Sequence, residues 1–109
     1  MARPVRWTEV ALADLDEAAE YIARDSRYYA AALVREARTA ARTLARLAER
    51  GRLVPEAGSS DIREIYIKTY RLIYQITSSE IFVLAFVHGA RDLGALWQAR
   101  TGPDEAPIP

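Results

Sequence analysis

Three stretches, Ile62-Arg63-Glu64-Ile65-Tyr66-Ile67-Lys68, Tyr70-Arg71-Leu72-Ile73-Tyr74-Gln75-Ile76 and Ile81-Phe82-Val83-Leu84-Ala85-Phe86-Val87-His88, follow one another with only Thr69 and Thr77-Ser78-Ser79-Glu80 between them. Ile, Val, Tyr and Phe fit a pleated, half-buried surface better than a helix, so each stretch reads as a strand. Breaks of one and four polar residues are too short for a crossover, so the strands run antiparallel as a meander. The third stretch is apolar from Ile81 to Val87 without alternation, which predicts an interior strand with helices on one face and further cover on the other. Strand order is not fixed by the pattern.

Upstream, no glycine or proline occurs between Val5 and Arg50, whereas residues 51–109 hold all five glycines. The chain therefore divides into a helical half and a turn-rich half. Trp7 closes a short apolar stretch, and Thr8 can cap a helix running to about Arg24, its hydroxyl accepting from first-turn amides. Leu12, Leu15, Ala19 and Ile22 form one stripe of that helix, and Glu9, Asp16, Glu17 and Glu20 occupy the other side. Asp25 or Ser26 can cap a second helix, in which Leu33, Ala37, Ala40, Leu44 and Leu47 repeat at steps of three and four. Gly51 is expected as its left-handed C-cap. Arg35, Arg38, Arg42 and Arg46 make its outer face basic, opposite in sign to the first helix. The sum is an α+β domain: an N-terminal helical hairpin packed on a small antiparallel β-sheet.

Composition narrows the chemistry. At 109 residues the chain is one domain, and 50% hydrophobic against 28% charged residues is a globular balance. No cysteine means no disulfide, thiolate metal site or thiol nucleophile. There is no phosphate-binding glycine loop, histidine-pair metal motif or serine elbow, so neither a metal nor a cofactor is expected. The N-terminus lacks an apolar signal region and no apolar run approaches a bilayer span, which places the chain in the cytoplasm. Fifteen basic and fifteen acidic residues cancel, so no overall field draws the molecule to nucleic acid.

The polar set on and beside the strands is Arg63, Glu64, Lys68, Tyr70, Arg71, Tyr74, His88 and Arg91. Arginines can hold phosphate, and a histidine or glutamate can move a proton in RNA cleavage. The same residues read equally well as rim charges and a strand-end histidine with one satisfied hydrogen bond.

Taken in order, Trp7-Thr8, Ala11, Asp14-Leu15, Tyr21-Ile22, Arg63-Glu64, Tyr70-Arg71-Leu72-Ile73-Tyr74 and Val87-His88-Gly89-Ala90-Arg91-Asp92 resemble the RelE/ParE superfamily of type II toxin–antitoxin toxins, or plasmid stabilisation proteins. The resemblance spans residues 3 to about 93; residues 1–101 read as the toxin domain, and Gly102 to Pro109, with three prolines and two acids, as a loose tail. It implies a growth-inhibiting toxin neutralised by a cognate, ParD-like antitoxin in a hetero-oligomer. Leu12, Leu15, Leu33, Arg35, Arg38 and Arg42 are the expected antitoxin contacts. RelE-like members are ribosome-dependent mRNA endoribonucleases that need no metal; ParE-like members poison DNA gyrase by binding. In the first case Arg71 would sit on phosphate, Glu64 or His88 would act as base and Tyr70 would stack on a base, with Arg63 a further candidate. A single lysine, zero net charge and Gly89 where some ribonucleases have an aromatic residue favour the ParE-like branch, a binder rather than an enzyme.

Overall fold

The computed structural model describes residues 2–101; the tail expected over residues 102–109 lies outside the described residues. In chain order the elements are β1 (Val5–Trp7), α1 (Glu9–Ala23), α2 (Arg27–Thr43), β2 (Arg52–Leu53), β3 (Ile62–Ile67), β4 (Tyr70–Ile76), β5 (Ile81–His88) and α3 (Leu93–Thr101). Short 3₁₀ turns cover Ala48–Arg50 and Pro55–Ala57.

β3, β4 and β5 pair antiparallel, with Ile67 opposite Tyr70 and Tyr70 opposite His88. The sheet is larger than the expected three strands and is mixed, which corrects the antiparallel expectation. Its order is β1-β5-β4-β3-β2, and β1 lies parallel to β5, pairing Val5 with Ile81 and Trp7 with Val83. A parallel neighbour needs a long crossover, here supplied by everything between Trp7 and Ile81. A bulge at Ile73/Tyr74 leaves Leu84 without a partner on β4.

Thr8 both starts α1 and fixes it to the sheet. Its Oγ1 accepts from the Ala11 N–H (3.2 Å) and donates to the Val83 carbonyl (2.8 Å). Ser26 caps α2, its hydroxyl accepting from Tyr29 N–H at 3.2 Å. α1 and α2 bury Ala11, Leu15 and Ala18, and Ala30, Leu33, Ala37 and Ala41. Most of these small residues meet Ile65, Ile67, Leu72, Tyr74, Ile81, Val83 and Phe86 on one face of the sheet. The opposite face carries Ile62, Ile73, Ala85 and Val87, covered by Val54, Leu93, Leu96 and Trp97. Burial of β5 on both faces follows, because each fully buried Ile, Val or Phe contributes about 1.5–3 kcal/mol.

Two local expectations fail together. α2 ends at Thr43, so Leu47 lies beyond the helix and is 59% exposed. Gly51 is no left-handed cap: its φ is −77°. Glycine is required there by proximity, since a Cβ would lie 2.6 Å from both the Glu64 carbonyl oxygen and the Tyr74 hydroxyl. Among the described residues no helix is long and apolar enough to cross a membrane.

Candidate functional site

Successive residues of a strand point to opposite faces, and β4 uses this to separate Tyr70 from Arg71. Arg71 faces away from α1 and α2, beside Glu64 of β3, and both are buried, at 6% and 1% exposure. Arg71 Nε donates to Glu64 Oε1 at 2.6 Å, and Arg52 Nε of β2 donates to Glu64 Oε2 at 2.6 Å. Glu56, from the turn after β2, approaches Arg71 Nη2 at 3.6 Å. The two arginines and two glutamates clasp the 52–57 segment onto the sheet. Glu64 raises the Arg52 guanidinium further above its ordinary value, chiefly through that hydrogen bond. A carboxylate whose two oxygens are both spent on arginines is poorly placed to take a substrate proton.

Tyr70 and His88 stand on the helix-facing side. The Tyr70 ring stacks on Phe86 (5.1 Å between centroids, 4°) and meets the His88 ring edge-on at 5.4 Å. Burial, and secondarily Tyr21, push the Tyr70 phenol up. His88 Nδ1 accepts from the Ala90 N–H at 3.1 Å. An N–H can only donate, so a neutral His88 ring carries its proton on Nε2. These rings, with Glu17, Tyr21, Arg24 and Arg91, line a groove between the end of α1 and the end of the sheet.

Arg63 also faces the helices but points elsewhere. Its Nη1 donates to the carbonyls of Gly51 (2.9 Å) and Glu49 (3.4 Å). Its Nε is buried without a hydrogen-bond partner. The five residues read for RNA cleavage therefore fall into three places: Glu64 with Arg71, Tyr70 with His88, and Arg63 beside residues 49–51.

Of the residues read for antitoxin contact, Leu15 and Leu33 are core residues at 2% and 0% exposure. They can touch no partner without repacking, and their expected role as contacts is corrected on that ground. Leu12 and the arginines Arg35, Arg38 and Arg42 are exposed.

Sequence reasoning also missed a clasp. Asp14 of α1 accepts two hydrogen bonds from Arg100 of α3, at 2.7 and 2.9 Å, and its Oδ2 accepts a third from Phe86 N–H at 3.1 Å. Asp14 thus covers the edge of β5 beyond β1. No local signal marks a pairing across 86 residues; the lone acid between Ala11 and Leu15 on the inner side of an amphipathic helix was the one available hint. Among the described residues no group of three or more histidine or acidic side chains could hold a metal.

A family model described as the ParE toxin of type II toxin–antitoxin systems, parDE, matches residues 5–93. Among solved structures, a chain of the chromosomal ParDE toxin–antitoxin system from P. aeruginosa superposes with a TM-score of 0.66 at 20% identity. The match covers 80% of this chain and 96% of that one, and at such identity it speaks for the fold. No curated protein matches the sequence.

Proposed function

Because the chain belongs to the ParE toxin family of type II toxin–antitoxin systems, we propose that it inhibits growth by binding and poisoning DNA gyrase in the cytoplasm, and that a cognate antitoxin encoded beside it neutralises it in a hetero-oligomer. The observation that carries this reading is the division of the polar residues. A ribonuclease needs a phosphate clamp and a proton-transferring base within reach of one scissile bond. Here the Glu64–Arg71 pair is buried on one face of the sheet and Tyr70 with His88 lies on the other. Zero net charge is also a poor match to a ribosomal RNA surface. Both facts favour a binder over an enzyme.

The antitoxin is assigned to the outer side of the helices, where Leu12 offers an apolar contact and Arg35, Arg38 and Arg42 a basic row. A supercoiling assay with purified chain and gyrase tests the target. Loss of supercoiling with trapped, cleaved DNA is expected. Unimpaired supercoiling at micromolar chain, combined with cleavage of ribosome-bound mRNA, would reverse the assignment.

A further inference from the structure

At the end of the sheet away from His88, the start of β1, the turn after α2 and the β4–β5 hairpin border an open cavity of about 620 Å³. Arg3, Arg46 and Arg50 line it, and among the described residues none of the three has an ion pair, whereas Arg6, Arg52, Arg71 and Arg100 each do. Glu49 is the one acid on its wall, so two positive charges are left unmatched. Like charges gathered in one hollow repel, and the low-dielectric wall supplied by Leu47, Ala48 and Ile76 focuses their field. The backbone that carries these arginines is tied down. Arg3 N–H donates to the Ala45 carbonyl at 2.9 Å, and Arg50 Nη1 donates to Thr43 Oγ1 at 2.7 Å. Tyr74 and Arg63 hold the carbonyls of Ala48, Glu49 and Gly51. A site whose frame already exists pays little ordering on binding.

Charge and shape select the ligand. A carboxylate brings one charge and two oxygens, which a single arginine fork satisfies. A terminal phosphate brings nearly two charges at neutral pH and three acceptor oxygens, the complement of three guanidiniums with two charges unmatched. A phosphodiester of a nucleic-acid backbone carries only one charge, and among the described residues no aromatic ring lines the cavity on which a base could stack. The volume is that of a small-molecule site. Ser78, on the hairpin side, adds a hydroxyl that can donate to a phosphate oxygen. We infer that Arg3, Arg46 and Arg50 form an oxyanion site that grips a small phosphorylated ligand by its terminal phosphate. The site lies apart from Leu12 and the Arg35, Arg38 and Arg42 row assigned to the antitoxin, and it stands whichever protein the toxin poisons.

The test is a titration of the isotope-labelled full chain with sodium pyrophosphate at constant ionic strength, followed by amide NMR, with sodium acetate and a short DNA duplex as comparison ligands. Pyrophosphate should shift the amides of Arg46, Leu47, Arg50 and Ser78 saturably, and acetate should not. Arg3→Gln and Arg46→Gln should each weaken binding by about fivefold or more, because each removes a charge-assisted contact. Arg27→Gln, an equal change of charge at the far end of α2, should leave it within about twofold, the part owed to overall field. Glu49→Gln removes the opposing carboxylate and should tighten binding by about two- to threefold, a gain that no loss of folding can imitate. Resonances unmoved by pyrophosphate overturn the inference, as does equal weakening by Arg27→Gln or an equal response to acetate. Tighter binding of the duplex than of pyrophosphate at these amides would make the cavity a track for backbone phosphates, which also overturns it.

Discussion

Tyr74 shows how one side chain organises the turn-rich half. It is fully buried, its hydroxyl donates to the Ala48 carbonyl at 2.6 Å and accepts from the Gly51 N–H at 3.0 Å, and Gly51 has no side chain so that the hydroxyl can reach it. Tyr74→Phe strands a buried N–H and carbonyl, and should cost about 1–3 kcal/mol in denaturant unfolding. It should also change the pH profile. Burial is the main cause of the raised Tyr74 pKa, so the folded state holds this proton more tightly than the unfolded chain. The associated stability is complete below the phenol's ordinary value of 10.0 and is lost as pH climbs through the folded-state value. The parent should therefore lose stability above pH 10, and Tyr74→Phe should lose less of it over the same range, with Tyr70, whose phenol is also raised, contributing to the slope that remains. Arg71 invites a parallel test. Arg71→Ala leaves the buried Glu64 with Arg52 alone and should destabilise by about 3–5 kcal/mol in the same titration. Loss of toxicity in that variant would then report folding, and its melting temperature would reveal it.

Among the elements, the boundaries legible in sequence were those with local causes. Thr8, and Asp25 or Ser26, announced helix starts because a cap is a contact three residues long, and the structure uses Ser26 for the second. The strands from Ile62 to His88 announced themselves by composition. What escaped notice depends on distant partners. β1 is three residues long and becomes a strand only beside Ile81–Val83. β2 is two residues long and is held against Glu64 and Arg63. α3 contains Gly94 and carries little amphipathic contrast, so its apolar residues find their purpose only against Ala85 and Val87. The same logic hid the clustering of the site. Alternation could separate Glu64 from Arg63, but only the Tyr66–Arg71 register brings Glu64 and Arg71 to one face. The β3–β4 turn supports a prediction at this scale. Lys68 is the one non-glycine with positive φ among the described residues, at 56°. Left-handed backbone costs an ordinary L-residue roughly 1–2 kcal/mol, whereas its ion pair with Glu36 at 3.3 Å is half-exposed and weak. Lys68→Gly should therefore raise stability by about 0.5–1 kcal/mol, read as a higher urea midpoint at unchanged m-value.

For the molecule as a whole, zero net charge conceals a polarised surface. α1 and the turn after it carry Glu9, Asp16, Glu17, Glu20 and Asp25, whereas the exposed side of α2 carries Arg35, Arg38 and Arg42 with Glu36 as the nearest acid, already paired to Lys68. Like charges aligned on one helix oppose its formation slightly, and although Arg42 sits in the last turn and donates to Thr39 Oγ1 at 3.2 Å, the row adds little to the fold and is free for association. An antitoxin segment with carboxylates in register would be drawn in faster at low ionic strength and would lose that advantage within a Debye length of about 8 Å at physiological salt. The arginines are exposed and each pairing contributes only about 0.2–1 kcal/mol, so three together amount to about 0.6–3 kcal/mol, or between about threefold and roughly 150-fold in affinity. Replacing Arg35, Arg38 and Arg42 with glutamate should weaken antitoxin binding by at least that factor, mainly through a slower on-rate, and should flatten its salt dependence in surface-plasmon measurements from 50 to 500 mM salt. Antitoxin binding of undiminished affinity and salt slope would show that the basic row is a solvated face, and that the antitoxin is held through Leu12 and apolar contacts instead.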